Sequence, residues 1–358
     1  MTSTIRNTFV ALILSGSAST LHAQQTQQVI ATAEMAETPE MKLRALLVVP
    51  GKEHSDNDYA RNMLQAMFDK AKAANPKLTP RAFTVALHDK ALAGNDADAS
   101  YYYGAARFTG FGIAEGADKE VEGFIRPAFA AGKLEAVRDY AILTYRGAGV
   151  KKDTAAAYLL AKRAADGGLP SGMSLQAEFM EAGIGVKASM LDAVLLFQKA
   201  AQAGDVPAAY NLGMALNDEK PDAAMSWFKA AAGAGDDRAM FAYGMNELRG
   251  IGVPQNEKEG VDFVQSAAAA GNPDAQAMMG VFYVNGTHGV EKNTLVGRLY
   301  LESAAINGDS DAQIDFGLMN MDGLFGLKED HDVGMSWMLK AAKQQNPRAL
   351  QELRKRMK

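Results

Sequence analysis

The chain has 358 residues, of which 48% are hydrophobic and 22% charged, and its formal net charge is -5. It contains no cysteine, which excludes disulfides, thiolate metal sites, a cysteine nucleophile and a lipid-anchored cysteine. The weakly acidic balance gives no reason to expect nucleic acid or an anionic membrane surface as a partner.

The first 23 residues have the pattern of a secretory signal. Arg6 precedes an apolar run at residues 9–14, small residues at 15–19 and Leu-His-Ala at 21–23. The apolar run is too short to span a bilayer, and no later segment is apolar for long enough. We therefore expect cleavage after Ala23 and a periplasmic or secreted bacterial protein without an integral membrane segment. A disordered cytoplasmic start is the alternative.

Residues 24–57 show little periodicity and predict a flexible arm. Apolar residues then recur at every fourth position from residue 59 to residue 71, and Asn75 and Pro76 end this helical run. Thr79 and Pro80 are a start signal for a second helix up to about residue 93, because threonine caps a helix and proline suits its first position. Residues 58–93 are thus predicted to be capping helices.

One phrase then recurs along the chain. A glycine follows an alanine-rich helix end every 31 to 38 residues, and Gln345 takes the glycine's place in the last copy. These anchor glycines are Gly94, Gly132, Gly168, Gly204, Gly235, Gly271 and Gly308. Such a series indicates a repeat architecture, in which units too small to fold alone bury their apolar faces against one another.

Each unit contains two predicted helices. The first carries a small residue, which lets two helix backbones approach closely; in order, these residues are Gly104, Ala141, Ala177, Gly213, Gly244, Gly280 and Gly317. A loop of the form Gly-x-Gly-apolar follows, as at 147–150, 183–186 and 250–253. The second helix ends in two alanines, and a large apolar residue eight positions before each anchor is predicted to share their buried face; these are Phe124, Leu160, Leu196, Trp227, Phe263, Tyr300 and Trp337.

At these residues the chain resembles the Sel-one-like repeat family, whose members are relatives of the tetratricopeptide repeat. The phrase is clearest at residues 200–213 and 235–253. The resemblance implies an all-α fold, a right-handed α/α superhelix or solenoid of about seven helix-turn-helix repeats over residues 94–345. Residues 346–358 are then expected to form a C-terminal capping helix. The resemblance also implies a protein-interaction scaffold rather than an enzyme.

Residues that carry catalysis or bind metal form no recognisable constellation. The five histidines lie apart and make no zinc-hydrolase motif, so we predict no metal and no cofactor. Ser226 and Lys229 have the spacing found in penicillin-recognising enzymes, but the partner motifs are missing. Some relatives in the family bind or hydrolyse β-lactams, so a cell-wall or β-lactam hydrolase is the alternative function. Those relatives are rich in cysteine, which this chain lacks.

A distributed binding site is the first hypothesis. If the first helix of each unit lines the concave groove, as in tetratricopeptide relatives, the residues three before and one after the small residue face a peptide or protein partner. The candidates with the best side chains for binding are Tyr101, Arg138, Tyr210, Met214, Phe241 and Met245. The alternative is that Phe241, Met214 and Met245 belong to the core between helices.

Overall fold

The computed structural model describes Arg44, Leu47 and residues 58–93, 96–112 and 118–356. The predicted signal, most of the predicted arm and the first anchor, Gly94, lie outside the described residues. All regular elements within the described residues are α-helices, which confirms the predicted all-α fold class. None of these helices combines the length and apolarity required to cross a membrane.

The helices follow one another at the repeat spacing read from the sequence. They are α1 (Asp58–Ala74), α2 (Pro80–Leu92), α3 (Ala97–Thr109), α4 (Asp118–Ala130), α5 (Leu134–Arg146), α6 (Thr154–Asp166), α7 (Pro170–Ala182), α8 (Met190–Gln202), α9 (Val206–Leu216), α10 (Pro221–Gly233), α11 (Asp237–Arg249), α12 (Glu257–Ala269), α13 (Pro273–Asn285), α14 (Thr294–Ile306), α15 (Ser310–Met321), α16 (His331–Lys343) and α17 (Pro347–Arg356). From α3 to α16, odd numbers are the first helices of the units and even numbers the second.

The described residues form two compact units. The N-terminal unit contains the described residues from Asp58 to Ala215, and the C-terminal unit contains Arg44, Leu47 and the described residues from Leu216 onward. In each unit a first helix packs against the second helix of its own pair and against the second helix of the preceding pair. One core cluster, for example, joins Ala141 of α5, Ala161 of α6 and Phe179 of α7. Core that is shared between neighbours is what stabilises a solenoid.

The anchor glycines end the second helices in the left-handed conformation that their position predicts. Gly204 has φ 91°, Gly235 has φ 94°, and Gln345, the one substitute, has φ 60°. Each first helix from α11 to α15 then begins at an Asp or Asn whose side chain accepts a hydrogen bond from a backbone amide, as Asp236 does from Ala239 at 2.9 Å. Such caps contribute about 1 kcal/mol each.

The close approach within a pair depends on the small residues. A Cβ added to Gly244 in α11 would lie 2.8 Å from the carbonyl oxygen of Gly260 in α12, and one added to Gly280 would lie 2.6 Å from Leu301. Real Cβ contacts are rarely shorter than about 3.4 Å, since packed carbon atoms sit ~3.5–4.0 Å apart. The predicted role of the small residues is confirmed.

The prediction about the large apolar residues was off by one position. The side chains eight before the anchors are half-buried, except for Tyr300, which is buried. The fully enclosed position lies seven before the anchor, at Ile125, Ala161, Phe197, Phe228, Val264, Leu301 and Met338. A helix turns about 100° per residue. The residue seven before the anchor lies four residues from one terminal alanine and three from the other, so it is nearer to the centre of their helix face than the residue eight before the anchor.

Candidate functional site

The first-helix face is the surface formed by the side chains three before and one after each small residue. In the N-terminal unit its members are Tyr101 and Ala105 on α3, Arg138 and Ile142 on α5, Ser174 and Glu178 on α7, and Tyr210 and Met214 on α9. Their burial changes along the row. All four residues on α3 and α5 are buried, Tyr210 is half-buried, and the Met214 side chain is 51% exposed.

Helix α1 covers the buried end of this face. Its residues Ala60 and Leu64 are buried in one cluster with Ala105, and Met63 packs against the cluster that contains Tyr101. The α1 sequence alternates these apolar residues with polar ones at helical spacing, so one side of α1 faces the repeats. The first-helix face of the N-terminal unit therefore already holds an amphipathic helix of the same chain.

Tyr59, at the start of α1, makes the polar part of this contact. Its hydroxyl donates to the Asp205 carboxylate, 2.7 Å from Oδ1 and 2.6 Å from Oδ2. The guanidinium of Arg138 lies 4.8 Å from the centre of the Tyr59 ring, a cation–π contact. Asp205 also caps α9, where its Oδ1 accepts from the Ala208 amide at 2.8 Å. One tyrosine thus connects α1 with α5 and with the start of α9.

A buried ion pair lies beneath Tyr59. Arg138 Nε donates to Asp139 Oδ1 at 2.8 Å, and Arg138 Nη1 donates to Ser171 Oγ at 3.0 Å. The Tyr101 hydroxyl donates to Asp139 Oδ2 at 2.8 Å. Arg138 and Asp139 are both almost fully buried, so each charge depends on the other for compensation. Tyr101 and Arg138, predicted to face a partner, are used within the fold.

Burial and charge shift the pKa values of this cluster. Burial, aided by the neighbouring Asp205 charge, raises the pKa of Tyr59 well above its ordinary value. Burial disfavours the charged form of Arg138, but the Asp139 carboxylate outweighs it and raises the Arg138 pKa above the usual range. Burial also raises the pKa of Asp205, because its effect exceeds that of the hydrogen bonds from Tyr59 and Ala208, which lower this pKa.

The raised pKa of Asp205 predicts a pH dependence of stability. Because the folded-state pKa lies above the unfolded one, the contribution of Asp205 is fully present below the unfolded pKa and is lost as pH rises through the folded value. Asp205→Asn keeps the cap and an acceptor for Tyr59 but does not titrate. We expect the wild type, relative to Asp205→Asn, to lose stability as the pH rises from about 4. Urea unfolding of both proteins between about pH 4 and pH 8 measures this change. A wild type that gains stability relative to Asp205→Asn as the pH rises would contradict the prediction.

In the C-terminal unit the first-helix face is partly open to solvent on α11 and α13. Phe241 and Met245 of α11 are half-buried and pack against the core cluster that includes Met279 and Phe282 of α13. Val281 of α13 is exposed. Phe241 and Met245 therefore contribute to the core while keeping part of their surface in solvent, as both hypotheses from the sequence allow.

The residues considered for catalysis do not converge. Ser226 is exposed on α10, and its hydroxyl donates to the Asp222 carbonyl of its own helix at 3.4 Å. Lys229 Nζ lies 5.7 Å from the centre of the Tyr243 ring. His88 packs on Tyr103 and His288 on Phe282, while His331 is exposed near Glu329. No three acidic or histidine side chains among the described residues are grouped as a metal site.

Comparison with known proteins identifies the repeats. The Sel1 repeat profile matches residues 134–169, 172–205, 206–236, 237–272, 273–309 and 310–346, which is more than half of the chain. These stretches begin at α5, so the pair α3–α4, predicted as the first of about seven units, precedes the matched region.

Three similar proteins illustrate the relationship. An uncharacterized protein of Neisseria meningitidis serogroup B is 31% identical over 144 residues, which are 39% of this chain and 30% of that protein. The crystal structure of a protective antigen with an SLR fold from uropathogenic Escherichia coli is 25% identical and has a TM-score of 0.53, with 74% of this chain and 57% of that chain covered. This chain thus spans less than two thirds of either protein.

The third is a Sel1 repeat protein from Oxalobacter formigenes. Its crystal structure has a TM-score of 0.57 and 23% identity, and the alignment covers 97% of this chain and 92% of that chain. At this identity the likeness concerns the fold, and it extends over nearly the whole of both chains. The repeat matches, which cover more than half of the chain, show that the chain belongs to the Sel1 repeat family.

Proposed function

We propose that this chain is an exported scaffold that binds a helical segment of a partner protein on the first-helix face of its N-terminal unit. Sel1 repeat proteins are typically protein-interaction scaffolds. The observation that carries the proposal is that α1 lies on this face, with Tyr59 on Arg138 and Asp205 and with Leu64 in an apolar cluster. A surface that accommodates one amphipathic helix has the chemistry to bind another.

The α9 end of the face is where the proposed partner binds. Met214 offers an exposed, flexible and polarizable side chain, and Tyr210, four residues earlier on the same helix, presents a half-buried aromatic surface. Asn211 Nδ2 donates to Glu178 Oε1 at 3.1 Å, which places a carboxylate beside these residues. The partner segment expected here has an apolar face with aromatic or aliphatic residues and a basic residue near Glu178.

Site-specific photo-cross-linking in the native host tests this proposal. A photoreactive amino acid at Met214 is expected to capture a discrete partner, whereas the same probe at Leu191, an exposed residue on the second helix α8, is the matched control. Adding Tyr210→Ala should reduce the yield at Met214 several-fold, because a hot-spot aromatic at an interface contributes about 2 kcal/mol or more. Equal capture at both positions, or no effect of Tyr210→Ala, would reject the face as the binding site.

Export is the second part of the proposal, supported by the sequence pattern of residues 1–23. We expect the protein in the cell envelope or the medium to begin at Gln24, and Ala23→Leu to leave a longer precursor, since cleavage requires a small residue there. Fractionation followed by intact-mass measurement distinguishes these forms. An unprocessed protein confined to the cytoplasm would contradict export.

A further inference from the structure

The second helix α14 is enclosed far more completely than its counterparts. It buries every residue from Val296 to Ala305, ten in a row. The second helices α6, α8, α10, α12 and α16 each bury only three to five residues, which lie on the side facing the repeats. The remaining side of α14, here called the outward face of α14, is therefore covered as well.

Residues at equivalent positions of the second helices show that α14 is covered where the others are open. Nine residues before the anchor, the Leu299 side chain has 0% exposure, whereas Leu159 and Leu195 at that position are 62% and 51% exposed. Ser226, Asp262 and Ser336, the equivalents in α10, α12 and α16, are exposed too. Since the repeats leave this position open elsewhere, residues from outside the repeats must cover it on α14.

Arg44 and Leu47 lie on this face. Arg44 Nε donates to Glu302 Oε1 at 3.0 Å, and Arg44 Nη2 donates to the same oxygen. Leu47 is buried in the core cluster that includes Val296 and Leu299. Both residues have helical backbone conformation.

The outward face of α14 also differs chemically from those of the other second helices. Glu302 is six residues before its anchor, where α6, α8, α10, α12 and α16 carry Lys162, Gln198, Lys229, Gln265 and Leu339. Of these six helices, only α14 has a carboxylate at that position, next to an apolar patch. An acid beside a leucine-lined surface matches an arginine and a leucine one turn apart.

We propose that the outward face of α14 is a docking surface for a segment that carries an arginine and, three residues later, a leucine, and that Arg44 and Leu47 of the same chain occupy it. A partner protein with the same pair of residues would compete with this segment for Glu302 and Leu299. The surface is distinct from the first-helix face, and the proposal does not depend on the proposed function.

A peptide competition with the full chain tests the proposal. A fluorescent peptide of residues 40–51 is titrated into the wild type and into Leu47→Asp, in which the chain's own segment no longer fits the apolar patch. We expect the peptide to bind Leu47→Asp at least tenfold more tightly than the wild type, because the occupied site of the wild type must first be vacated. Leu195→Asp, at the exposed equivalent of Leu299 in α8, is the control and should bind the peptide as the wild type does.

A charge exchange then identifies the ion pair. Introducing Glu302→Arg into Leu47→Asp should weaken peptide binding at least tenfold, and a peptide carrying Arg44→Glu should restore it to within about threefold. Amide exchange in α16, measured on every variant, checks that the fold is retained. Equal binding to the wild type and Leu47→Asp, or no effect of the charge exchange, would overturn the proposal. A wild-type dimer that Glu302→Arg dissociates would assign the face to a second copy and would overturn the intramolecular occupant.

Discussion

Gly185→Val should destabilise the protein by about 3 to 5 kcal/mol, the largest effect we expect from any single loop substitution. Gly185 is the second glycine of the loop between α7 and α8 and has φ 70°. A Cβ at this position would lie 2.0 Å from the carbonyl oxygen of Thr154, at the start of α6, and 3.0 Å from the Ala155 Cα. The neighbouring pair would have to move away, which disrupts the core shared by α5, α6 and α7.

Gly204→Val is the matched control. Gly204 has φ 91°, but a Cβ there would meet no atom within 4 Å. The cost is then limited to the left-handed backbone, about 1 to 2 kcal/mol. Urea unfolding followed by circular dichroism compares the two variants with the wild type. Equal destabilisation of the two would mean that contact with the preceding pair is not what requires glycine at position 185.

Asp139→Ala is expected to cost about 3 to 5 kcal/mol, because it leaves the buried guanidinium of Arg138 without its carboxylate. The Tyr101 hydroxyl loses its acceptor in the same variant. Replacing both charges, in Arg138→Met combined with Asp139→Leu, should recover much of this loss, since an apolar pair of similar volume carries no uncompensated charge. Thermal and urea unfolding of the single and double variants measures the difference. An Asp139→Ala protein within about 1 kcal/mol of the wild type would show that water reaches Arg138.

The repeat itself was predictable from the sequence because its signals are local. Glycine at a left-handed helix end, a small residue at a backbone contact and a terminal pair of alanines each have one structural meaning, and recurrence removes chance agreement. The position of the enclosed side chain was missed because the residues at seven and eight before the anchor are both apolar in most units. Only the packing geometry distinguishes Phe228 from Trp227.

The candidate site was less predictable because its determinants are distant in sequence. Register alone placed Tyr101 and Arg138 on the first-helix face, but it contained no information that Tyr59 would lie on Arg138. Tyr59 was recognised only as part of a helical pattern, and its contact with Asp205 spans 146 positions. Likewise, no local pattern connects Arg44 with Glu302, 258 positions away. The role of Met214 as a partner contact stays a prediction.

The most direct test concerns the docking of α1 on the first-helix face, on which the proposed binding function rests. Hydrogen exchange of α1 amides is compared between the wild type and Tyr59→Leu, which removes both the hydroxyl that binds Asp205 and the ring that contacts Arg138. We predict at least tenfold faster amide exchange in α1, faster exchange in α3 and α5, and unchanged exchange in α16. The reason is that Tyr59→Leu loses a hydrogen bond to a charged group and a cation–π contact, which together contribute more than about 1.4 kcal/mol. Unchanged exchange in α1 would contradict the account.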